Sequence, residues 1–186
     1  MGNTTGTNNT CVGAGAGYNN GAGANNTFIG HSAGNTAVGL TNATAIGYQA
    51  QVTASNSMAL GGAGANAVNV GIGTSAPQAE LEVNGFTMLG SDAPRIKMKK
   101  LTGTTAAADG GFSSVPHGLA MAKILAVSVL VEASAGNNWI PPNFSWVAGW
   151  QYTYTLNNAN ITVYNLPGVS AGVLSKPIKI LVTYEE

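Results

Sequence analysis

Asn9-Thr10-Cys11-Val12-Gly13, Asn26-Thr27-Phe28-Ile29-Gly30 and Asn35-Thr36-Ala37-Val38-Gly39 are copies of one pattern: polar residue, Thr or Ser, any residue, aliphatic residue, Gly. A looser copy stands at Ala43-Thr44-Ala45-Ile46-Gly47, and related endings follow at Ser57-Met58-Ala59-Leu60-Gly61 and Val70-Gly71. Gly13, Gly30 and Gly47 are evenly spaced along the chain. The interval between them is too short for a propeller blade of roughly 40 residues. It suits a β-roll in which each repeat contributes a short strand. On this reading Val12, Ile29, Val38, Ile46 and Leu60 point inward as the repeat core, and the glycine permits positive φ or a close backbone approach. Stacked asparagines would hydrogen-bond along the roll, as side-chain amides do in ladders.

Charge is distributed to match. The 186-residue chain has 26 glycines, one cysteine and seven charges of each sign, and every charged residue lies at or after Glu80. The stretch before Glu80 holds 16 glycines and 12 asparagines. Fixing a backbone costs about 1–2 kcal/mol per residue. Against this stand 14 large apolar residues between Val12 and Ile72, each returning about 1.5–3 kcal/mol when fully buried. One copy does not build a core on those terms, so this half is expected to be ordered by backbone hydrogen bonds and by other copies of itself.

The same counts exclude several classes. A net charge of zero argues against a nucleic-acid partner held by phosphate neutralisation. The longest apolar stretch, near residues 119–131, is interrupted by Lys123 and Ser128, so no membrane insertion is expected. Gly2-Asn3-Thr4-Thr5-Gly6 offers neither a basic segment nor an apolar core, and no secretory signal is expected. Lone Cys11 makes no intrachain disulfide, and two histidines do not assemble a structural zinc site within one chain.

Ala45-Ile46-Gly47-Tyr48-Gln49-Ala50 followed by Asn56-Ser57-Met58-Ala59-Leu60-Gly61 resembles the head repeats of trimeric autotransporter adhesins, which form a trimeric β-roll. Asn26-Thr27-Phe28-Ile29-Gly30-His31-Ser32-Ala33-Gly34 resembles the version of this repeat found in bacteriophage tail fibres. Asn69-Val70-Gly71-Ile72-Gly73-Thr74-Ser75-Ala76-Pro77 with Leu81-Glu82-Val83-Asn84-Gly85 is similar to a connector common in those fibres and in fibres of contractile injection systems. Together these cover about the first half of the chain. The resemblance implies an intertwined homotrimer, a virion or extracellular-particle location, and attachment to a bacterial cell surface through a surface glycan or outer-membrane protein. Other fibre or baseplate proteins are the remaining partners it implies. Neither the sustained heptads of an adhesin stalk nor the girdled alternating strands of a membrane barrel are visible, and where such fibres often carry a self-cleaving chaperone, whose Ser and Lys pair needs a longer domain, this chain is expected to continue for only about 110 residues into something compact.

Residues 1–74 are thus assigned to β-roll repeats, 75–104 to a connector and 105–186 to a C-terminal head. In the connector, Leu81 and Val83 alternate with Glu80 and Glu82, Asn84-Gly85 suits a type I′ turn, and Phe86 with Met88 resumes the alternation. That spells a β-hairpin. Arg95, Lys97 and Lys99 interleave with Ile96 and Met98, which sets the basic residues on one solvated strand face, with an anionic glycan as the alternative reading. In the head, residues 123–131, 151–156, 161–164 and 178–184 read as strands, and Leu166-Pro167-Gly168 as a break. The expected class is all-β, ending in a β-sandwich of jelly-roll type.

Chemistry is sparse. The carboxylates are Glu80, Glu82, Asp92, Asp109, Glu132, Glu185 and Glu186, and nothing in their spacing suggests the pair a glycosidase needs. No phosphate-binding GxxxxGK or dinucleotide GxGxxG pattern occurs. His117, in Pro116-His117-Gly118, has no nucleophile beside it. His31 occupies the variable slot after the repeat glycine and is expected to face solvent, although three copies around an axis could gather imidazoles for a metal. Cys11 reads as a small, half-buried residue, and the Asn-x-Ser/Thr sequons as by-products of the repeat. No enzyme activity, cofactor or metal is expected.

The binding candidates are aromatic: Trp139, Phe144, Trp146 and Trp150, which share one short segment with Tyr152 and Tyr154. Tyr and Trp on loops present a large amphipathic area at little rotamer cost. Trp150, Tyr152 and Tyr154, on or beside a strand, favour a core or a subunit interface, while Trp139, Phe144 and Trp146 favour core and surface about equally. The reading is the tip of a phage tail fibre. Its alternatives are the head fragment of a bacterial trimeric adhesin and an ice-binding β-solenoid, the latter disfavoured because paired Thr-x-Thr does not recur.

Overall fold

A computed structural model describes residues 2–133 and 138–186. Among them the protein is all-β, with three short 3-10 turns and no α-helix. The chain divides into two units, Met1–Asn84 and Gly85–Glu186.

The first unit is a β-solenoid of about three turns. Strands β1 (Thr10–Val12), β2 (Thr27–Ile29), β3 (Gly34–Asn35), β4 (Thr44–Ile46), β5 (Gln51–Val52) and β6 (Met58–Leu60) are short and pair in parallel. They form one sheet in the order β1-β2-β4-β6 and a second of β3 and β5. Thr10, Thr27, Thr44 and Met58 share one rung position, and Val12, Ile29, Ile46 and Leu60 another. The turn length is the same from β1 to β2 as from β2 to β4, and the turn ending at β6 is shorter, the loss falling between β5 and β6.

The turns repeat because the residues that make them repeat. Asn8, Asn25, Asn42 and Asn56 precede the four strands and all hold φ between 53° and 59°, the left-handed region that Asn tolerates better than most residues. Gly30, at φ 131°, stands where an added Cβ would lie 2.4 Å from the Gly47 carbonyl oxygen of the next turn. Glycine is therefore required there on two counts.

The interior differs from the expectation. In each strand of the four-stranded sheet the middle residue faces inward: Phe28 and Ala45 are fully buried, and Cys11 and Ala59 are half-buried. Val12, Ile29, Val38 and Leu60 are exposed in the chain, Val38 by 75 %, and Ile46 is half-buried. In the strands of the four-stranded sheet the expected inward row is thus corrected by one residue, while Val38 lies in the exposed turn after β3 and in no strand. Strand side chains alternate, so a shift of one exchanges the two faces. The cross-section is too thin for an aliphatic row, and it is filled by Phe28, Val52 and alanines.

Asparagine completes the interior. The Asn9 Oδ1 accepts from the Asn26 N–H at 2.9 Å, and the Asn26 Oδ1 accepts from the Ala43 N–H at 2.8 Å. One turn apart, their amide nitrogens donate to the Gly23 and Leu40 carbonyls, each at 2.7 Å. The Asn of the repeat therefore bonds the backbone of the next turn as well as other asparagines, and the series stops where Ala43 takes its place.

Beyond the solenoid, β7 (Val70–Ile72) and β8 (Leu81–Val83) pair in parallel. The hairpin expected at Asn84-Gly85 is not formed. Leu81–Val83 finds its partner upstream, and of the following residues only Thr87 makes an isolated antiparallel bridge, to Ile96. The 75–104 connector is accordingly divided: β8 belongs to the first unit and the strand beginning at Ile96 to the second.

The second unit has two antiparallel sheets. One orders β10 (Phe112–Pro116), β14 (Asn160–Asn165) and β13 (Tyr152–Leu156) as β10-β14-β13. The other orders β9 (Ile96–Thr104), β11 (Ile124–Ala133), β12 (Asn138–Ile140) and β15 (Pro177–Glu185) as β12-β11-β15-β9. A single buried cluster draws Val115, Ile161, Val163 and Tyr152 from the first sheet, and Val129, Val131, Ile178 and Ile180 from the second. The strand read at 123–131 is buried only in its later half, since Leu125 is exposed.

Candidate functional site

Phe144, Trp146 and Trp150 sit on a segment without charge between β12 and β13. Asn143 opens it at φ 59°, its N–H donating to the Tyr152 carbonyl at 2.8 Å. Gly149, at φ 81°, closes it and accepts from the Gly172 N–H at 2.7 Å. Phe144 and Trp150 stack with ring centroids 6.3 Å apart and pack against the core. A Cβ on Gly172 would lie 2.4 Å from Trp150 Cδ1, so the indole rests directly on that glycine backbone. Trp146, between the two stacked rings in sequence, is 92 % exposed.

The four candidates therefore separate into roles. Phe144 and Trp150 are engaged with each other and with the core, and Trp146 stands in solvent. Trp139 is in β12 with the Lys179 ammonium 3.5 Å from its ring centroid, so one ring face is already engaged by a cation. Gly136 and Asn137, beside Trp139 in the expected loop, lie outside the described residues. Tyr152 is fully buried, its hydroxyl donating to the Ile140 carbonyl at 2.8 Å and shared with that of Val129 at 3.0 Å. Tyr154 is half-buried and donates to the Val127 carbonyl at 3.1 Å.

The basic strand is not an open face. Lys99 donates to the His117 carbonyl at 2.8 Å, Lys97 lies 5.6 Å from the Phe86 ring centroid, and Arg95 pairs with Glu186 at 2.5 Å. Lys97 and Lys99 are half-buried, because that side of β9 is turned toward β10. His117 is fully buried and takes a structural part: its Nδ1 accepts from the Leu119 N–H at 3.2 Å, which leaves Nε2 to donate to the Asn157 carbonyl at 2.9 Å. His31 is exposed and stacks on Tyr48 at 5.6 Å. Cys11 is half-buried, and burial pushes its thiol pKa up. Among the described residues no three His, Cys, Asp or Glu side chains converge, and no helix is long and apolar enough to cross a membrane.

Asp109 ties the Leu166-Pro167-Gly168 turn. It accepts from the Ser170 hydroxyl and from the Gly168 N–H at 2.6 Å. The Ser170 bond first, and then the Gly168 bond, hold its pKa below the ordinary carboxylate value. A pKa lowered on folding means that the stabilisation is present above the unfolded value and is lost as pH falls through the folded one. An acid titration of unfolding is expected to show this loss below about pH 4, and Asp109→Asn to remove that part of the pH dependence. A wild-type slope in Asp109→Asn would contradict the assignment.

Comparisons with protein-family models, with curated proteins and with solved structures return no match for this chain.

Proposed function

We propose that this chain is the structural and receptor-binding tip of a fibre, on a phage tail or a related contractile injection particle, that acts as a homotrimer at the bacterial surface without enzymatic activity. The observation that carries the reading is Trp146, a 92 % exposed indole on an uncharged loop. A bare tryptophan on a surface loop is an anchor awaiting a partner. The second unit is read as a β-sandwich head of jelly-roll type whose receptor is a surface glycan or an outer-membrane protein.

The trimer is supported by the outward row Val12, Ile29, Ile46 and Leu60. Its members are in register along one sheet and carry no charge, a face that other copies can cover. Sedimentation of the purified chain is expected to give three times 18.7 kDa. Ile46→Asp would bring three carboxylates into that interface at about several kcal/mol each and leave single chains; an intact trimer with unchanged melting would refute the interface. Trp146→Ala is expected to lower adsorption to host cells by about 30-fold, the equivalent of a 2 kcal/mol anchor, with melting unaltered. Undiminished adsorption would remove Trp146 from the site.

Ice binding is the second reading, favoured by one observation: Thr10, Thr27 and Thr44 are in register on the outward side of the same sheet. Thermal hysteresis in a solution of the protein would select it.

A further inference from the structure

The solenoid has a groove of its own, away from the β1-β2-β4-β6 sheet, with a volume of about 360 Å³. Tyr18, Asn19, Ser32, Asn35 and Gln51 line it, with Gly15 at its edge. We propose that this groove binds a neutral oligosaccharide. The volume is that of a small-ligand site, and the wall offers one ring with amides and a hydroxyl.

Tyr18 is 72 % exposed, so its ring can lie against the C–H face of a sugar, and its hydroxyl has no partner among the described residues. Gln51 is fixed by an Nε2 bond to the Ser32 carbonyl at 2.8 Å, which leaves its Oε1 as an acceptor held in place. Asn35 is 1 % exposed; its Nδ2 donates to the Ala37 carbonyl at 2.6 Å, while its buried Oδ1 accepts from nothing among the described residues. Gly15 keeps the groove open, since a Cβ there would come within 3.3 Å of the Ser32 hydroxyl.

Charge sets the class of sugar. No Asp, Glu, Lys or Arg side chain precedes Glu80, so an acidic or amino sugar would lose hydration here with no such counter-ion to replace it. A second concavity shares Ser32 and Gln51 with the first and continues along the solenoid past Gln49 and Asn66, which favours several linked sugars over one.

The test uses the intact chain and saturation-transfer NMR. The probes are short homo-oligomers of glucose, galactose and N-acetylglucosamine, with oligosialic acid and a sulfated oligosaccharide as charged probes. At least one neutral oligomer is expected to bind and the charged ones to bind more weakly. Tyr18→Ala is expected to weaken the binding about three- to tenfold, the worth of one aromatic contact, with melting unchanged, and Tyr18→Phe to retain most of it. Absence of binding by every neutral probe, stronger binding of the charged probes, or an unaffected Tyr18→Ala would each overturn the proposal. Trp146→Ala is expected to leave this binding intact. If Trp146→Ala abolishes it and Tyr18→Ala does not, the sugar sits on the head loop and the groove proposal falls, while the reading of the head stands.

Discussion

Asn26→Ala is expected to cost the solenoid about 3–6 kcal/mol, because three buried or half-buried partners lose their bonds at about 1–3 kcal/mol each and do not all recover them elsewhere. Asn26 is 1 % exposed. Its Nδ2 donates to the Leu40 carbonyl at 2.7 Å and to the Asn20 Oδ1 at 2.8 Å, and its Oδ1 accepts from the Ala43 N–H at 2.8 Å. A loss of that size compares with the whole stability of a small domain, about 5–15 kcal/mol. The neighbour supplies the control. Asn25 is exposed at φ 58°, and Asn25→Gly is expected to change stability by no more than about 0.5 kcal/mol, since glycine accepts that conformation. Amide exchange in residues 10–12 and 27–29 reads the effect directly. Protection within about 1 kcal/mol of wild type in Asn26→Ala would show that backbone pairing alone holds the turns.

Tyr152→Ala is expected to cost the second unit about 3–5 kcal/mol, the usual range for emptying a buried aromatic site. The ring is fully buried between the two sheets, and its hydroxyl reaches carbonyls of β11 and β12. Tyr152→Phe separates the two contributions. It keeps the ring and strands the hydroxyl's partners, for about 1–3 kcal/mol. Urea unfolding followed by near-ultraviolet dichroism measures both, and a Tyr152→Phe protein as stable as wild type would reduce the hydroxyl to a bystander. The same burial raises the phenol's pKa far above its ordinary 10.0. A pKa raised on folding gives a stabilisation that is complete below the unfolded value and is lost as pH rises from there toward the folded one. Unfolding free energy is therefore expected to fall with alkali above about pH 10, and to fall less steeply in Tyr152→Phe.

The period was the most legible feature of the chain. Gly13, Gly30 and Gly47 announced a constant turn length, and the strands at Thr10, Thr27 and Thr44 keep it. The orientation within each strand was not legible. A three-residue strand between polar residues has no second period to fix its phase, so aliphatic Val12 and Ile29 were read as inward when Cys11 and Phe28 occupy that side. The signal was present in Phe28, the largest side chain in any copy, and in Ala45 and Ala59, small residues at the same position. The hairpin failed for a different reason. Asn84-Gly85 has the local chemistry of a turn, but Leu81–Val83 pairs with Val70–Ile72, a competition that no local window displays.

The aromatic cluster was visible as composition, and its division was decided in three dimensions. Trp139, Phe144, Trp146 and Trp150 are alike in being aromatic. Lys179, far along the chain from Trp139, and Gly172, well beyond Trp150, determine which rings are engaged, and only Trp146 is left in solvent. The sequence by itself determined the all-β class, the solenoid period and the segregation of charge, since each depends on residue type and spacing along the chain. The inward face of the strands, the free indole and the groove beside Tyr18 were decided by tertiary structure, because burial is set by residues distant in sequence that arrive on the same side of a sheet.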